Sequence, residues 1–295
     1  MRCRSALTRV DALRTRELSQ DERSEVESHL KTCKSCDDSL HDVDRLASLV
    51  KALAIAPPRS CKDTLCREVV DSFDRVEAGG REVWVAFSEG GIRMISARTI
   101  DDLRARYAKR YGRDLQRAEI PAALKREVAA ALSGQGVGKP HIDLGDASEL
   151  ETAVMRALGS IPVGEVRTYS WVAQQIGRPK AVRAVASFCA RNVVPFVVPC
   201  HRVVPTGGGV GEYAYGSRMK RDLLAREGVD VDALDALARE GVRYIGSRTT
   251  KIYCFPTCRD ARRIREENRV PFRGAGEAAQ KGFRPCQRCR PVAAA

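Results

Sequence analysis

The sequence of 295 residues lacks the features that mark membrane-embedded and exported proteins. No apolar run approaches the roughly 20 residues that a membrane-spanning helix needs, and the N-terminus has no apolar stretch of the signal-peptide type. We therefore expect a cytoplasmic protein in a reducing environment. The 11 cysteines are then expected to be metal ligands or reactive thiols rather than disulfide partners.

Acidic side chains are scarce relative to basic ones. The chain has 51 Lys and Arg but only 38 Asp and Glu, an excess that favours an anionic partner such as nucleic acid. The excess is uneven, because residues 241–295 hold 13 basic and 4 acidic side chains, whereas residues 1–60 hold 11 and 10. The C-terminal end is therefore the expected DNA-binding flank, and the near-neutral N-terminal end better fits a protein partner.

One cysteine, in the segment 197–205 (VVPCHRVVP), directly precedes a histidine and an arginine. A cysteine attacks as the thiolate, so it needs a base or a positive charge nearby. His201 and Arg202 offer both to Cys200, and the flanking prolines stiffen the backbone. The segment predicts a nucleophilic cysteine; the alternative is a buried structural cysteine in an edge strand.

Two helices separated by a short Gly/Pro turn are predicted before this segment. The first covers 164–177 and the second begins at Ala181, with Arg178, Lys180 and Arg183 crowding the turn. This is the plan of a helix-turn-helix, and helix N-termini favour phosphate. The alternative is a helical hairpin inside a core.

The motif PCHRV and these surroundings resemble the O6-alkylguanine-DNA alkyltransferases, or methylated-DNA–protein-cysteine methyltransferases, over roughly residues 80–229. The resemblance implies an RNase H-like α/β subdomain followed by a winged helix-turn-helix catalytic domain. It also implies irreversible, single-turnover transfer of an alkyl group from O6 of guanine in DNA to Cys200. Because O6 is inaccessible inside a duplex, the base has to be rotated out of the stack.

The site residues of that family are matched here position by position. Cys200 matches the alkyl acceptor, His201 the residue that takes the thiol proton and Glu227 the acid that orients the histidine, which is the logic of an activated nucleophile. Asn192 matches the asparagine that fixes the turn under the site. The matched DNA-contacting residues are Tyr169, which crowds the phosphate, Arg183, which fills the gap in the duplex, and Tyr213, which lines the guanine pocket.

Metal-binding side chains are grouped in the first part of the chain. His29 and Cys33 are four residues apart and share a helix face, and Cys36 follows at a spacing that lets two thiolates bind one tetrahedral zinc. Cys3 is the candidate fourth ligand. The pattern resembles the anti-sigma-factor zinc finger, which implies a sigma factor as partner; the alternative is a helical hairpin with loose thiols.

Two close cysteine pairs, Cys254 with Cys258 and Cys286 with Cys289, are separated by 27 residues near the C-terminus. Such pairs are a strong zinc signal, and the metal would supply much of the folding free energy of so small a segment. The phrases TTKIYC and GFRPCQRC resemble the zinc domain of the Ada adaptive-response proteins. The resemblance implies that Cys254 is both a zinc ligand and an acceptor of methyl groups from DNA phosphotriesters; a purely structural zinc is the alternative.

Local patterns predict the other elements. Ser19 and Glu22 form a capping box at a helix start, and another helix begins at Ser148. The sequence predicts no role for Cys61 and Cys66. The remaining predictions are a short helix over 65–76, a hairpin over 82–95, helices near 100–112 and 121–133 and a strand at 141–144.

The chain is accordingly expected to be an α+β multidomain protein that binds zinc. Its expected segments are an anti-sigma-like zinc finger (1–56), a linker (57–80), the α/β subdomain of the alkyltransferase (81–147), its helix-turn-helix catalytic domain (148–231) and an Ada-type zinc-binding domain (232–295).

Repair of double-stranded DNA carrying alkylated guanine or phosphotriesters is the leading interpretation. The alternative is an alkylation-responsive transcriptional regulator that acts through the zinc domains and a sigma factor. A third interpretation is an alkyl-lesion binding protein without transfer. It fits less well, because such proteins lack the acceptor cysteine and this chain has Cys200.

Overall fold

The computed structural model of the protein describes residues 3–9, 12–13, 18–52, 71–145 and 147–291. They belong to two compact units, one within residues 1–66 and the other within residues 67–295. Cys61, Cys66 and the first part of the helix predicted over 65–76 lie outside the described residues. No helix of the described ranges combines the length and the apolar character needed to cross a membrane.

The described part of the N-terminal unit includes the helices α1 (Cys3–Leu7), α2 (Gln20–Thr32) and α3 (Lys34–Ala52). Helix α2 begins at the predicted capping box, where Ser19 N donates to a Glu22 carboxylate oxygen at 3.2 Å and Ser19 Oγ accepts from the Glu22 backbone. The helices enclose a small buried core of Ala6, Val26, Leu30 and Cys36.

The larger unit begins with a four-stranded sheet in the order β3-β2-β1-β4. Strands β1 and β2 are antiparallel, β2 and β3 are antiparallel, and β1 and β4 are parallel. Two helices, α4 and α5, pack against the sheet, which confirms the predicted α+β class, hairpin and helices. The bounds are β1 (Asp71–Ala78), β2 (Arg81–Ser88), β3 (Gly91–Ser96), α4 (Ile100–Tyr111), β4 (Leu115–Arg117) and α5 (Ala122–Leu132).

Strand β1 shows that the helix predicted over 65–76 is wrong for its described part. Phe73 and Val76 are three residues apart, as on a helix face, and both are buried. They enter opposite sides of the sheet, where Phe73 packs in a cluster with Leu103 and Val76 joins the main core. Because the two large apolar residues of β1 lie on opposite faces, the strand lacks a single apolar face with a period of two, and their spacing of three resembles that of a helix.

The segment 141–144 also forms less strand than predicted. It contributes one parallel bridge, between Ile142 and Ile92. Two backbone hydrogen bonds form this bridge, from Ile92 N to the His141 carbonyl at 2.8 Å and from Asp143 N to the Ile92 carbonyl at 3.0 Å. The Asp143 carboxylate adds side-chain contacts, because it accepts from Ser88 Oγ at 2.6 Å and from Arg93 Nε at 2.9 Å.

The predicted helix-turn-helix consists of α7 (Tyr169–Gln175) and α8 (Val182–Arg191), which follow α6 (Glu149–Gly159). Helix α7 begins later than predicted, because Arg167–Thr168 form strand β5, which pairs in parallel with β6 (Val203–Val204). Strand β5 therefore connects the start of the helix pair to the chain just beyond Cys200.

The C-terminal part of the larger unit contains a second sheet, in the order β10-β8-β7-β9. Its aromatic residues form a small core, in which the Tyr244 ring lies 5.4 Å from Tyr253 and 5.5 Å from Phe255. The bounds are α9 (Ser217–Arg226), α10 (Val231–Arg239), β7 (Tyr244–Ser247), β8 (Ile252–Cys254), α11 (Arg259–Arg262), β9 (Arg269–Phe272), α12 (Ala275–Gln280) and β10 (Arg284–Pro285).

Gly246 provides a test of this small core. A Cβ at Gly246 would lie 2.5 Å from the ring of Phe272 and 2.7 Å from that of Phe283, and these two rings already pack edge to face at 4.8 Å. Gly246→Ala should therefore lower the free energy of unfolding by about 1–3 kcal/mol through overpacking, as measured by urea denaturation. Gly276→Ala is the matched control, since a Cβ at Gly276 meets nothing within 4 Å; equal stabilities of the two variants would contradict this packing.

Candidate active site and zinc centres

Cys200 is buried in the larger unit, in a one-turn 3-10 helix over residues 200–202, with 3% of the residue exposed. Asn192 Nδ2 donates to Cys200 Sγ at 3.1 Å and to the Val198 carbonyl at 3.0 Å. The Asn192 side-chain oxygen accepts from Val194 N at 3.1 Å. Asn192 thus fixes the turn beneath the thiol and gives the sulfur a hydrogen bond that favours its anionic form.

Glu227 binds the two residues that follow Cys200. Its Oε1 lies 2.8 Å from His201 Nε2. Arg202 donates to the same carboxylate from Nε, 2.9 Å from Oε2, and from Nη2, 2.9 Å from Oε1, while its Nη1 donates to the Ile161 carbonyl at 2.7 Å. All three side chains are buried, so their charges are compensated by one another rather than by water.

The carboxylate determines which nitrogen of His201 is free. Burial lowers the pKa of His201 below its usual 6.5, although Glu227 opposes this. Burial also opposes ionisation of Glu227, but hydrogen bonds from His201 and Arg202 outweigh it and lower the pKa of Glu227. Ionised Glu227 accepts the hydrogen on Nε2, so neutral His201 keeps its lone pair on Nδ1. That nitrogen is buried and has no hydrogen-bond partner within the described residues, so it is available to take a proton.

The thiol of Cys200 is held mainly in its neutral form. Burial raises the pKa of Cys200, and Asn192, Lys220 and Tyr213 oppose that rise. The protein therefore has groups that stabilise a thiolate while it develops, but not so strongly that the thiolate dominates at rest.

Lys220 is a site residue that the sequence did not predict. It lies in α9 with 1% of the residue exposed, and its Nζ donates to the carbonyls of Val203 at 2.6 Å and Glu212 at 3.2 Å. Burial lowers its pKa to about 8, so most of it remains charged at neutral pH. A lysine on an amphipathic helix is normally solvated, and nothing in the local sequence distinguishes this one.

The three predicted DNA-contacting residues have different surroundings. Tyr213 joins the Cys200 cluster: its buried hydroxyl acts on the Cys200 thiol, and burial raises the pKa of Tyr213 well above 10. Its ring lies 5.9 Å from that of Tyr215. Tyr169 is half-buried at the start of α7, where burial raises its pKa to about 12. Arg183 is exposed in the first turn of α8.

The four predicted ligands of the N-terminal zinc site come together. The donor atoms of Cys3, His29, Cys33 and Cys36 all lie within 4.8 Å of one another. Cys3 Sγ is 3.7 Å from Cys33 Sγ, and His29 Nε2 is 3.4 Å from Cys36 Sγ. Three thiolates and one imidazole suit tetrahedral zinc, so the residues fit the metal.

The four C-terminal cysteines form a second candidate zinc site, with their sulfur atoms within 4.8 Å of one another. All four are buried: Cys254, Cys258, Cys286 and Cys289. A closed set of four thiolates is typical of structural zinc, so these residues also fit the metal.

A cavity of about 650 Å³ opens beside Cys254. Four arginines contribute to its lining: Arg263, Arg265, Arg284 and Arg288. Guanidinium groups bind phosphate by paired, charge-assisted hydrogen bonds, so this cavity suits an anionic ligand next to a zinc-bound sulfur.

Glu227→Gln tests the buried ion cluster. The substitution leaves Arg202 buried without an anion, so the free energy of unfolding at pH 7 should fall by about 3–5 kcal/mol in urea denaturation. The pKa of Glu227 is lower in the folded protein, so its contribution is complete above pH 4.5 and is lost as the pH falls through the folded value. The difference in unfolding free energy between the variant and the original protein should therefore shrink on acidification below pH 4.5.

The matched control is Glu89→Gln, because Glu89 is exposed. Its free energy of unfolding should stay within about 0.5 kcal/mol of the original value. Equal losses in Glu227→Gln and Glu89→Gln would contradict the buried ion cluster.

Three family models match consecutive parts of the chain. The DNA-binding domain of 6-O-methylguanine DNA methyltransferase matches residues 149–229, the metal-binding domain of Ada matches residues 231–292, and a putative zinc finger matches residues 3–36. These matches, together with the two sets of metal-binding side chains, confirm zinc as the predicted cofactor at both ends of the chain.

Similar proteins carry names from the same family. The bifunctional transcriptional activator and DNA repair enzyme Ada of Escherichia coli is 50% identical over 74 residues, 25% of this chain and 21% of that protein. A methylated-DNA–protein-cysteine methyltransferase of Methanosarcina acetivorans is 45% identical over 83 residues, 28% of this chain and 53% of that protein. This chain thus covers between about a fifth and about half of the length of these two relatives.

One solved structure and one further relative extend these matches. The crystal structure of Mycobacterium tuberculosis O6-methylguanine methyltransferase matches with a TM-score of 0.45 and 25% identity, over 53% of this chain and 92% of that one. A methylated-DNA–protein-cysteine methyltransferase of Methanosarcina barkeri is 38% identical over 122 residues, which are 38% of this chain and 77% of that protein. On the strength of that last match, the chain belongs to the methylated-DNA–protein-cysteine methyltransferase family, here joined to an Ada-type zinc-binding domain and an N-terminal zinc finger.

Proposed function

We propose that the protein repairs DNA by direct reversal, as a methylated-DNA–[protein]-cysteine S-methyltransferase that transfers an alkyl group from O6 of guanine to Cys200. The observation that carries this proposal is a buried thiol surrounded by Asn192, Lys220 and the His201–Glu227 pair. Such an arrangement generates a thiolate only when a proton acceptor and an electrophile are both in place.

The reaction balances with the groups at hand. The Cys200 sulfur forms a bond to the alkyl carbon as the bond from that carbon to O6 breaks. The thiol proton passes to His201 Nδ1 through a water, because within the described residues that nitrogen makes no direct hydrogen bond to the thiol. Over the whole reaction, the proton replaces the alkyl group on the base, at N1 of guanine. Lys220 and the Asn192 amide stabilise the negative sulfur during the transfer. The thioether has no easy route back to a thiolate, so each molecule reacts once.

DNA binding belongs to the same proposal. The exposed Arg183 on α8 would occupy the space that the extruded base leaves in the duplex. Tyr169, at the start of α7, would press against the phosphate of that nucleotide. The buried hydroxyl of Tyr213, beside the Cys200 thiol, would meet a polar edge of the extruded base. The partner is thus double-stranded DNA with an alkylated guanine.

Cys254 is proposed as a second acceptor, for methyl groups from DNA phosphotriesters. Zinc keeps a bound thiol deprotonated at neutral pH, and the arginine-lined cavity beside Cys254 suits a DNA backbone. Four thiolates on one zinc ion leave two net negative charges, and methylation removes one. The methylated module would therefore repel DNA less, which would allow it to signal damage as well as repair it.

The N-terminal zinc finger is proposed to bind a protein, with a sigma factor as the candidate. Leu7 is 46% exposed and Leu46 is 62% exposed, and both belong to this unit. Exposed leucines on a near-neutral module favour a protein partner over DNA. Calorimetric titration with purified sigma factors should show binding that Leu46→Glu abolishes; absence of binding to all of them would remove this candidate and the regulatory function that depends on it.

A cytoplasmic location completes the proposal. The nine cysteines of the described ranges are all free of disulfides, and they have to stay reduced to bind zinc or to attack an alkyl group.

Peptide mass spectrometry of the zinc-loaded protein tests both transfers. After incubation with duplex DNA carrying O6-methylguanine, the Cys200 peptide should gain one methyl group per molecule. The variant Cys200→Ala should gain none, whereas Cys189→Ala, which removes a neighbouring buried thiol, should react like the original protein. After incubation with methylphosphotriester DNA, the gain should appear on the Cys254 peptide.

Each outcome has a separate meaning. An unmodified Cys254 peptide would leave the C-terminal zinc with a structural role only. An unmodified Cys200 peptide with every DNA would rule out guanine repair and favour lesion binding without transfer.

A further inference from the structure

The C-terminal zinc module, residues 244–289 with their four cysteines, is hydrogen-bonded directly to the segment that opens the helix-turn-helix. Trp171 Nε1, in α7, donates to the carbonyl of Cys289 at 2.9 Å, and Cys289 is one of the four metal-binding cysteines. Val166 N donates to Thr257 Oγ1 at 2.9 Å. These partners are 118 and 91 residues apart in the chain, so the contacts exist only when the zinc module is folded.

A buried charge pair lies at the same junction. Arg167, with 2% of the residue exposed, donates to the Glu165 carboxylate, and the other oxygen of that carboxylate accepts from the backbone of Arg259 in the zinc module at 3.1 Å. The guanidinium lies over two rings, 5.5 Å from Trp171 and 5.3 Å from Phe255 of the zinc module. Buried ions need such partners. Loss of the zinc module would remove the Arg259 backbone from Glu165 and the Phe255 ring from Arg167.

The junction lies between the two proposed acceptors. Arg167 is in β5, which pairs with Val203 in the strand directly after the Cys200 turn. Trp171 is in the helix that begins with Tyr169. Contacts with the zinc module therefore hold both the strand beside Cys200 and the helix that carries a proposed DNA contact.

A small zinc module of this kind has two states, folded with metal and unfolded without it. Only the folded state supplies the Cys289 carbonyl, the Thr257 hydroxyl and the Phe255 ring to the junction. A coupling between zinc binding and the geometry of β5 and α7 follows, and any such coupling acts equally in both directions.

We propose that Trp171, Arg167 and Glu165 are positioning residues through which the zinc-loaded module sets the geometry for alkyl transfer at Cys200, a role that rests on the proposed repair function. Zinc is then more than a fold-stabilising ion for its own module. Loss of zinc from the C-terminal module slows alkyl transfer at Cys200, although that site contains no zinc ligand. Conversely, a substitution in the helix-turn-helix that disrupts the junction weakens zinc binding by the module.

Trp171→Phe tests this role, because it removes the indole donor and keeps an aromatic ring. Trp84→Phe is the matched control, since Trp84 lies in β2 against Phe73 and is the other tryptophan of the chain. All proteins carry Cys33→Ser, which removes a ligand of the N-terminal site, so that the metal released to a chromogenic chelator comes from the C-terminal site. The second readout is the single-turnover rate of methyl transfer to Cys200 from O6-methylguanine DNA.

Trp171→Phe should release zinc roughly fivefold faster or more, the size of a typical coupling between two sites, and should also slow the transfer, although the two rates need not change by the same factor. Trp84→Phe should match the parent protein in both readouts. Thr257→Val removes the other side of the junction and should shift both readouts in the same direction, and it decides the matter if Trp171→Phe does not fold.

The remaining outcomes contradict the proposal in distinguishable ways. Faster zinc release with unchanged transfer would reduce the junction to a structural contact. Unchanged values in both readouts would remove the coupling and leave the repair function intact. A parent protein that transfers nothing to Cys200 would overturn the repair function, and the positioning role with it.

Discussion

The Glu227 carboxylate is the interaction on which the rest of the site depends, because it binds His201 and Arg202 at the same time. The bond to His201 leaves Nδ1 as the free nitrogen, so the site has a proton acceptor of defined orientation. The bonds to Arg202 fix the backbone one residue further on, and Arg202 also reaches the Ile161 carbonyl beyond α6. The buried Glu227 carboxylate thus determines the tautomer of His201 next to Cys200 and also the backbone path of the segment that contains Cys200.

Zinc supplies the second constraint, at a distance from the first. The small aromatic core of the C-terminal module is closed by four buried cysteines, and that module contributes contacts to the strand and the helix beside Cys200. The main apolar cluster of the larger unit accordingly includes Cys200 as well as Cys254 and Cys289. In this arrangement the two proposed acceptors belong to one folded body, whereas the N-terminal zinc finger is a compact unit of its own.

Local chemistry in the sequence predicted much of this, and long-range contacts account for what it missed. Capping residues, the hairpin and the close spacing of metal-binding side chains are short-range signals, so α2, β2–β3 and the ligands of both zinc sites could be predicted. Strand β1 differs from the predicted helix because Phe73 and Val76, three residues apart, enter different cores on opposite faces of the sheet. Lys220 and the bond from Trp171 to Cys289 could not be predicted, since each depends on packing between segments that are remote in the chain.

The central claim is that buried His201 is neutral and that Glu227 fixes its tautomer, with the hydrogen on Nε2 and the lone pair on Nδ1. Nitrogen-15 NMR of the imidazole groups, with the His201 signals assigned by their loss in His201→Gln, measures this directly. We predict a protonated Nε2, an unprotonated Nδ1 at pH 7 and a titration midpoint below 6.5. A hydrogen on Nδ1, or a doubly protonated ring at pH 7, would contradict the claim.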